Sequence, residues 1–183
     1  MVQTDQDIVV RCQCGDKDAF RLLVQTYQRM IFSLALKMLG DDDEAKDVVQ
    51  DTFIKVWQSI ERYDRERNFV TWLYTIASRL CLDRLKMMKR VLPLPEDESV
   101  LRDMSAEVNG LHRLENREWI AVVRVLAEGL GEKQRLVFTL CQLEGLTSAE
   151  VEVITGLNAT QVKSNLYVAR QMICKRLKRL GYE

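Results

Sequence analysis

Apolar residues recur at three- and four-residue spacing along nearly the whole chain, and this restricts the fold more than any other feature. Phe20, Leu23, Tyr27, Ile31 and Leu34 form one such series. Ala45, Val48, Val49, Phe53, Val56, Trp57 and Ile60 form a second, and Phe69, Trp72, Leu73, Ile76, Leu80 and Leu85 a third. That period puts the apolar side chains on one face of an α-helix, which must then be buried against another helix. Only two prolines and eight glycines in 183 residues leave little material for a turn-rich β architecture. The spacing predicts an all-α protein.

Local signals divide the helices. A short helix is expected over 5–13, ended by Gly15 and Asp16. The next ends at Gly40, and Asp41 to Asp43 supply a cap and negative charge at the positive end of the one after. A polar loop, 61–68, precedes the Phe69 series, and these elements can form a compact bundle. Both prolines, Pro93 and Pro95, fall in the following stretch together with the acidic run Glu96, Asp97 and Glu98. This predicts two small helical domains, 1–90 and 116–183, joined by a flexible linker over 91–115. In the second domain helices are expected over 118–128, 132–143, 148–155 and 159–178. Thr147 and Glu150 have the spacing of a capping box, Gly156 marks a turn and Asn158 can cap the last helix.

The formal net charge of zero hides a strong alternation. Asp41, Asp42, Asp43, Glu44, Asp47 and Asp51 face only Lys46. Arg79, Arg84, Lys86, Lys89 and Arg90 face only Asp83, and an acidic stretch over 96–107 follows. From Val153 to Tyr182 there are bases and no acid. Two separate basic faces suggest two contacts with a polyanion.

Several classes find no support. No apolar run approaches the roughly 20 residues of a membrane span, and the N-terminus has no secretory pattern, so a cytoplasmic protein without membrane insertion is expected. The five cysteines, 12, 14, 81, 141 and 174, have no framework spacing, and His112 is the sole histidine. Reduced thiols are expected, with no metal site and no cofactor. There is no GxxxxGK, HExxH or GxSxG motif, so no catalytic residue is assigned and the chain is not expected to be an enzyme.

Residues 144–180 have the pattern of a helix–turn–helix. Val151, Ile154 and Leu157 supply the packing face of the first helix and the turn. Val162, Leu166, Ala169, Ile173 and Leu177 supply that of the second. Gln161, Lys163, Ser164, Asn165, Tyr167, Arg170 and Gln171 are left outward or on the flanks, where they can reach bases or phosphates. Lys175, Arg176, Lys178 and Arg179 extend the cationic track. A solvated amphipathic helix with bases at its C-terminus is the plainer alternative, but ordinary solvated faces mix signs.

Three segments together resemble a known family. Residues 43–57, DEAKDVVQDTFIKVW, look like the region-2 helix of bacterial sigma factors. Residues 69–77, FVTWLYTIA, continuing to Asp83-Arg84-Leu85-Lys86, resemble the promoter-melting and −10-reading helix that follows it. Gly131-Glu132-Lys133-Gln134-Arg135 and Val162-Lys163-Ser164 resemble region 4, which reads the −35 element. With only these two domains, the chain is similar to the extracytoplasmic-function (ECF) group of the sigma-70 family.

The resemblance implies that Asp47, Gln50, Asp51, Ile54, Lys55 and Gln58 dock on the clamp helices of the polymerase β′ subunit. A solvated helix with an acidic start would explain the acids by themselves and explains an exposed Ile54 less well. The loop 62–68 corresponds to the segment that captures an unstacked −10 base, with Asn68, Trp72, Arg79, Arg84 and Lys86 as the −10 contacts. For Trp72 core packing, and for Asn68 a helix cap, are the competing roles. Thr160, Gln161, Lys163, Ser164, Asn165, Tyr167 and Arg170 are the −35 contacts. The implied partners are core RNA polymerase (β′ clamp helices and β subunit), promoter DNA and an anti-sigma factor. Departures from the family pattern are Ser78-Arg79, where Arg-Asn is frequent, Asn165 and Val168, where bases are common, and Glu150 and Glu152 in an atypical first helix. The alternative function is a stand-alone helix–turn–helix regulator that acts without replacing the sigma subunit.

Overall fold

The computed structural model describes residues 5–91 and 129–179. Among these residues all regular structure is helical. The first half contains α1 (Asp5–Gln13), α2 (Lys17–Leu39), α3 (Asp42–Ser59), a single 3-10 turn (Ile60–Arg62) and α4 (Phe69–Val91). The second contains α5 (Glu132–Phe138), a π-helical turn (Thr139–Leu143), α6 (Ser148–Thr155) and α7 (Ala159–Arg179). The expected helix over 118–128, the acidic stretch over 96–107 and all of the expected linker except Val91 lie outside the described residues.

Caps set the helix boundaries. Asp16 accepts from the backbone N–H groups of Asp18 and Ala19, and Asp41 from those of Asp43 and Glu44. Each satisfies donors that the first helical turn leaves without partners. Gly40 ends α2 at φ +67°, the left-handed conformation that a Cβ penalises, and its N–H returns to the Leu36 carbonyl. Thr147 and Glu150 form the expected capping box at α6. At α7, Asn158 accepts from the Gln161 N–H at 2.9 Å while the Gln161 side chain accepts from the Asn158 N–H at 3.1 Å.

One expected helix differs. The stretch expected as a continuous helix over 132–143 is α-helical only to Phe138. Its last turn is widened: Glu144 N–H bonds the Thr139 carbonyl at 2.9 Å, five residues back, and Leu146 N–H that of Leu140 at 3.0 Å. The wider turn admits one more residue than an α-turn and re-aims the side chains that follow.

The two halves pack on each other. Leu34, Met38, Tyr74, Ala77 and Cys81 belong to the same continuous buried cluster as Leu136, Val137, Leu140, Val151 and Ile154. A satellite cluster of Leu130, Ala169 and Ile173 joins α7 to the segment before α5. Gly129 is favoured there by its φ of +82°, which a Cβ penalises; the nearby Arg176 guanidinium could shift to admit one.

Candidate functional site

Three surfaces carry the residues singled out by sequence. The first is α3. Its buried stripe, Ala45, Val48, Thr52, Phe53 and Val56, faces the bundle. The opposite side exposes Asp47, Gln50, Lys55 and Gln58, with Asp51 half-buried and Ile54 45% exposed. Ile54 does not stand alone. It lines an apolar groove of about 630 Å³ between α2 and α3, whose walls include Phe20, Val24, Val49, Phe53 and Trp57 and whose margin includes Lys17, Lys46, Gln50 and Gln58. Phe20 meets Trp57 edge-on at 4.8 Å between ring centroids. The sequence series placed Trp57 with the core, whereas it is half-buried and open to this groove. A partner that fills it would bury apolar surface flanked by hydrogen-bonding amides and charges, which is how protein interfaces are built.

Lys46 marks the start of this face. Hydrogen bonds first to Asp42 and then to Asp43 hold its ammonium charged and raise its pKa.

The second surface is the loop between the 3-10 turn and α4. The Gln13 amide donates to the carbonyls of Ile60 (3.0 Å) and Tyr63 (2.8 Å), so α1 pins the loop's entry. The Tyr63 hydroxyl donates to the Arg67 carbonyl. Asn68 caps α4, accepting from the Thr71 N–H at 3.0 Å, and its side chain stays exposed. The capping role weighed for Asn68 is therefore present. A cleft of about 170 Å³ opens beside it, lined by Gln6, Val9, Tyr63, Arg65, Arg67, Asn68, Phe69 and Val70. Gln6, Arg65 and Arg67 were not singled out by sequence, although the run Arg62, Arg65, Arg67 was a readable cationic signal.

Trp72 is half-buried, 4.7 Å from the Tyr63 ring and 5.7 Å from the Phe69 ring. The packing role weighed for it is the one its neighbours give it here. Arg79 is exposed, Lys86 is exposed near Asp83 at 3.5 Å, and Ser78 is buried, its hydroxyl without a hydrogen-bond partner among the described residues.

Arg84, expected beside these contacts, turns to α3 instead. Its guanidinium lies 2.9 Å from Glu44, 3.2 Å from Asp51 and 3.7 Å from Asp47. Burial works against its charge, but the hydrogen bond to Asp51 and the surrounding carboxylates outweigh it and raise its pKa. A residue expected to hold DNA and two expected to hold the polymerase thus neutralise one another.

The third surface is α7. Thr160, Gln161, Lys163 and Ser164 are exposed, Asn165 is half-exposed and Tyr167 is 65% exposed. Val162, Ala169 and Ile173 turn inward, and Leu166 and Leu177 are half-buried. Arg170 is exposed and donates to the Gln142 side chain at 2.9 Å. Val151 and Ile154 of α6 pack beneath. The turn is made by Gly156 at φ +71°. A short helix, a glycine turn and a longer helix with a polar, acid-free outer face can present donors to a duplex groove.

Among the described residues no cluster of three or more His, Cys, Asp or Glu side chains is arranged to hold a metal ion. The cysteines are free; burial, with the nearby Asp16 carboxylate, pushes Cys12 up to about 11, and burial pushes Cys81 up to about 12. No described helix is long and apolar enough to cross a membrane.

The family model for Sigma-70 region 2 matches residues 23–91, which carry α3, the loop and α4, and that for Sigma-70 region 4 matches residues 121–173. The RNA polymerase sigma-H factor of Pseudomonas aeruginosa is 32% identical over 97% of this chain and 96% of its own length. The ECF RNA polymerase sigma-E factor of Haemophilus influenzae is 34% identical over 93% of each chain. Two solved structures share the fold. CnrH, in complex with the cytosolic domain of CnrY, gives a TM-score of 0.71 at 22% identity, covering 96% of this chain and 97% of that one. The sigma factor RpoE of Bartonella quintana, in complex with the anti-sigma factor NepR, gives 0.64 at 19% identity, covering 89% and 98%. The chain belongs to the ECF group of the sigma-70 family, the sigma factors of transcription initiation.

Proposed function

We propose that this protein binds core RNA polymerase through α3, reads a −35 element with α7 and a −10 element with the loop and α4, and helps to open the duplex at the second. It carries out no bond chemistry itself. The observation that carries this reading is the pairing, in one sigma-family chain, of an exposed acid-free recognition helix with an apolar groove rimmed by polar side chains on α3. A stand-alone reader of duplex DNA needs only the first of these.

Unstacking a base step costs a few kcal/mol, so an opened strand must be held by cations, pockets and aromatic faces. The cleft beside Asn68, with Arg65 and Arg67 on its wall, supplies a pocket and positive charge. Trp72 packs against Tyr63 and Phe69, so its part is to stiffen that wall rather than to stack on a base. Core polymerase and promoter DNA are the partners this reading requires. The two solved structures described above are complexes with another protein, in one of them an anti-sigma factor, and an anti-sigma factor is proposed as a third partner. The cytoplasm is the compartment in which these partners meet.

Run-off transcription with core polymerase on a promoter library tests the reading. Transcripts that start at defined sites only when the protein is added are expected. Identical transcripts with core alone, with no co-purification of β′, would overturn it and leave the stand-alone regulator.

A further inference from the structure

Glu144 is the point at which the two halves are tied. It follows the widened turn 139–143, and its side chain is only 8% exposed. One carboxylate oxygen, Oε1, lies 2.7 Å from the Lys37 Nζ of α2. The other, Oε2, accepts the Tyr74 hydroxyl of α4 at 2.9 Å. Lys37 also donates to the Leu143 carbonyl at 3.2 Å. Two helices of the first half therefore grip both oxygens of one carboxylate from the second. Around this contact the buried apolar cluster runs without a break from Leu34, Met38 and Ala77 to Leu140, Val151 and Ile154.

A closed body of this length is on the order of 40 Å across. Elements centred near −10 and −35 lie roughly 25 base pairs apart, on the order of 85 Å along the duplex at 3.4 Å per pair. The closed arrangement cannot span them. The expected linker, residues 91–115, has a contour length on the order of 80 Å, enough for the two halves to separate. We propose that the Lys37–Glu144–Tyr74 contact is a latch that holds the free protein closed, and that the latch must release before α4 and α7 can engage both elements together.

The apolar surface supplies most of the attraction, while the ion pair selects this one docking pose, because any other pose would leave a desolvated carboxylate without partners. Productive binding is weakened by the fraction of molecules that remain closed. The need for release rests on the two-element reading above; the latch itself does not.

The test is a distance measurement on the full chain with labels on Cys14 and Cys174, the two exposed cysteines, which lie in different halves. Cys141 is replaced by Ser, and Cys12 and Cys81 are buried with raised pKa values, so they remain unlabelled. A single narrow short-distance population is expected for the chain with its latch intact. Glu144→Gln should raise the long-distance population roughly tenfold, the worth of hydrogen bonds to a charged group. Tyr74→Phe, which keeps the ring, should shift it less in the same direction. Adding Lys37→Met to Glu144→Gln should add little, and Arg21→Gln, which breaks the exposed pair with Asp18, should change nothing. A broad distribution with the latch intact, or Glu144→Gln and Tyr74→Phe both unchanged, would overturn the latch. Opening as expected in a protein that binds neither polymerase nor promoter would overturn the proposed function and leave the latch standing.

Discussion

Arg84 of α4 and Asp51 of α3 lie 3.2 Å apart and tie these two helices together. Glu44 and Asp47 complete the ring of carboxylates at 2.9 and 3.7 Å. Three acids at a spacing of three and four on α3 thus share one guanidinium, so the acidic face presented to a partner is partly neutralised from within. The same contacts engage the Arg84 guanidinium within the protein.

Arg84→Ala should therefore destabilise the first half by about 1–2 kcal/mol, the lower part of the range for charge-assisted bonds because the cluster is partly open to water. Arg84→Lys should recover only part of this, since one ammonium cannot serve three carboxylates as a planar fork does. Asp51→Asn should cost less in the Arg84→Ala background than in the unaltered chain. Urea denaturation measures all three, and strictly additive losses would show that the pair is not coupled.

Ile54 is the cleaner probe of docking, because substitutions at Asp51 also disturb Arg84. Ile54→Asp should lower affinity for core polymerase at least roughly tenfold by placing a charge against the apolar groove. Its effect on stability should stay within about 0.5 kcal/mol, as for other exposed sites. Fluorescence anisotropy with labelled protein separates the two. Unchanged affinity would remove the groove from the polymerase interface.

On α7, Lys163→Ala should weaken binding to a −35 duplex by ~1–3 kcal/mol through loss of a base contact. A salt titration shows the nature of the contact. A uniform loss across sequences, with a salt slope lower by about one, would mean that Lys163 meets phosphate instead. No change at low salt would remove it from the interface.

The α6 cap gives a pH-dependent signature. Glu150 accepts from the Thr147 hydroxyl at 2.7 Å and from its N–H at 2.8 Å, and these bonds lower its pKa in the folded protein. A lowered folded value means stability that is present above the unfolded pKa and lost as pH falls through the folded one. Glu150→Gln should therefore lower Tm at pH 7 and converge with the unaltered protein under acid conditions. Thr147→Ala should cost about 1 kcal/mol. A Glu150→Gln deficit that persists unchanged into acid would contradict this origin.

Helical class, most caps and the short-helix, glycine-turn, long-helix arrangement of α6 and α7 were legible in the residues because each depends on near neighbours. Asp41, Thr147 and Asn158 bond groups two or three positions away, and Gly40 and Gly156 answer to their own φ; Asp16, read only as a break, caps α2 by the same local chemistry. The outward set on α7 follows from a 3.6-residue period alone. What sequence could not supply were contacts between faces brought together only by packing. The Tyr74–Glu144 bond joins residues 70 apart, and Arg84 meets Asp51 across 33. Periodicity says that a face is buried but not which face meets it, so Trp57 read as core, and neither spacing nor resemblance pointed to the pairing of Arg84 with Asp51. The widened turn 139–143 escaped for a related reason: one extra residue leaves the apolar pattern nearly intact, yet redirects Glu144. Local chemistry determined the helices; tertiary packing alone decided that the two halves close on one carboxylate.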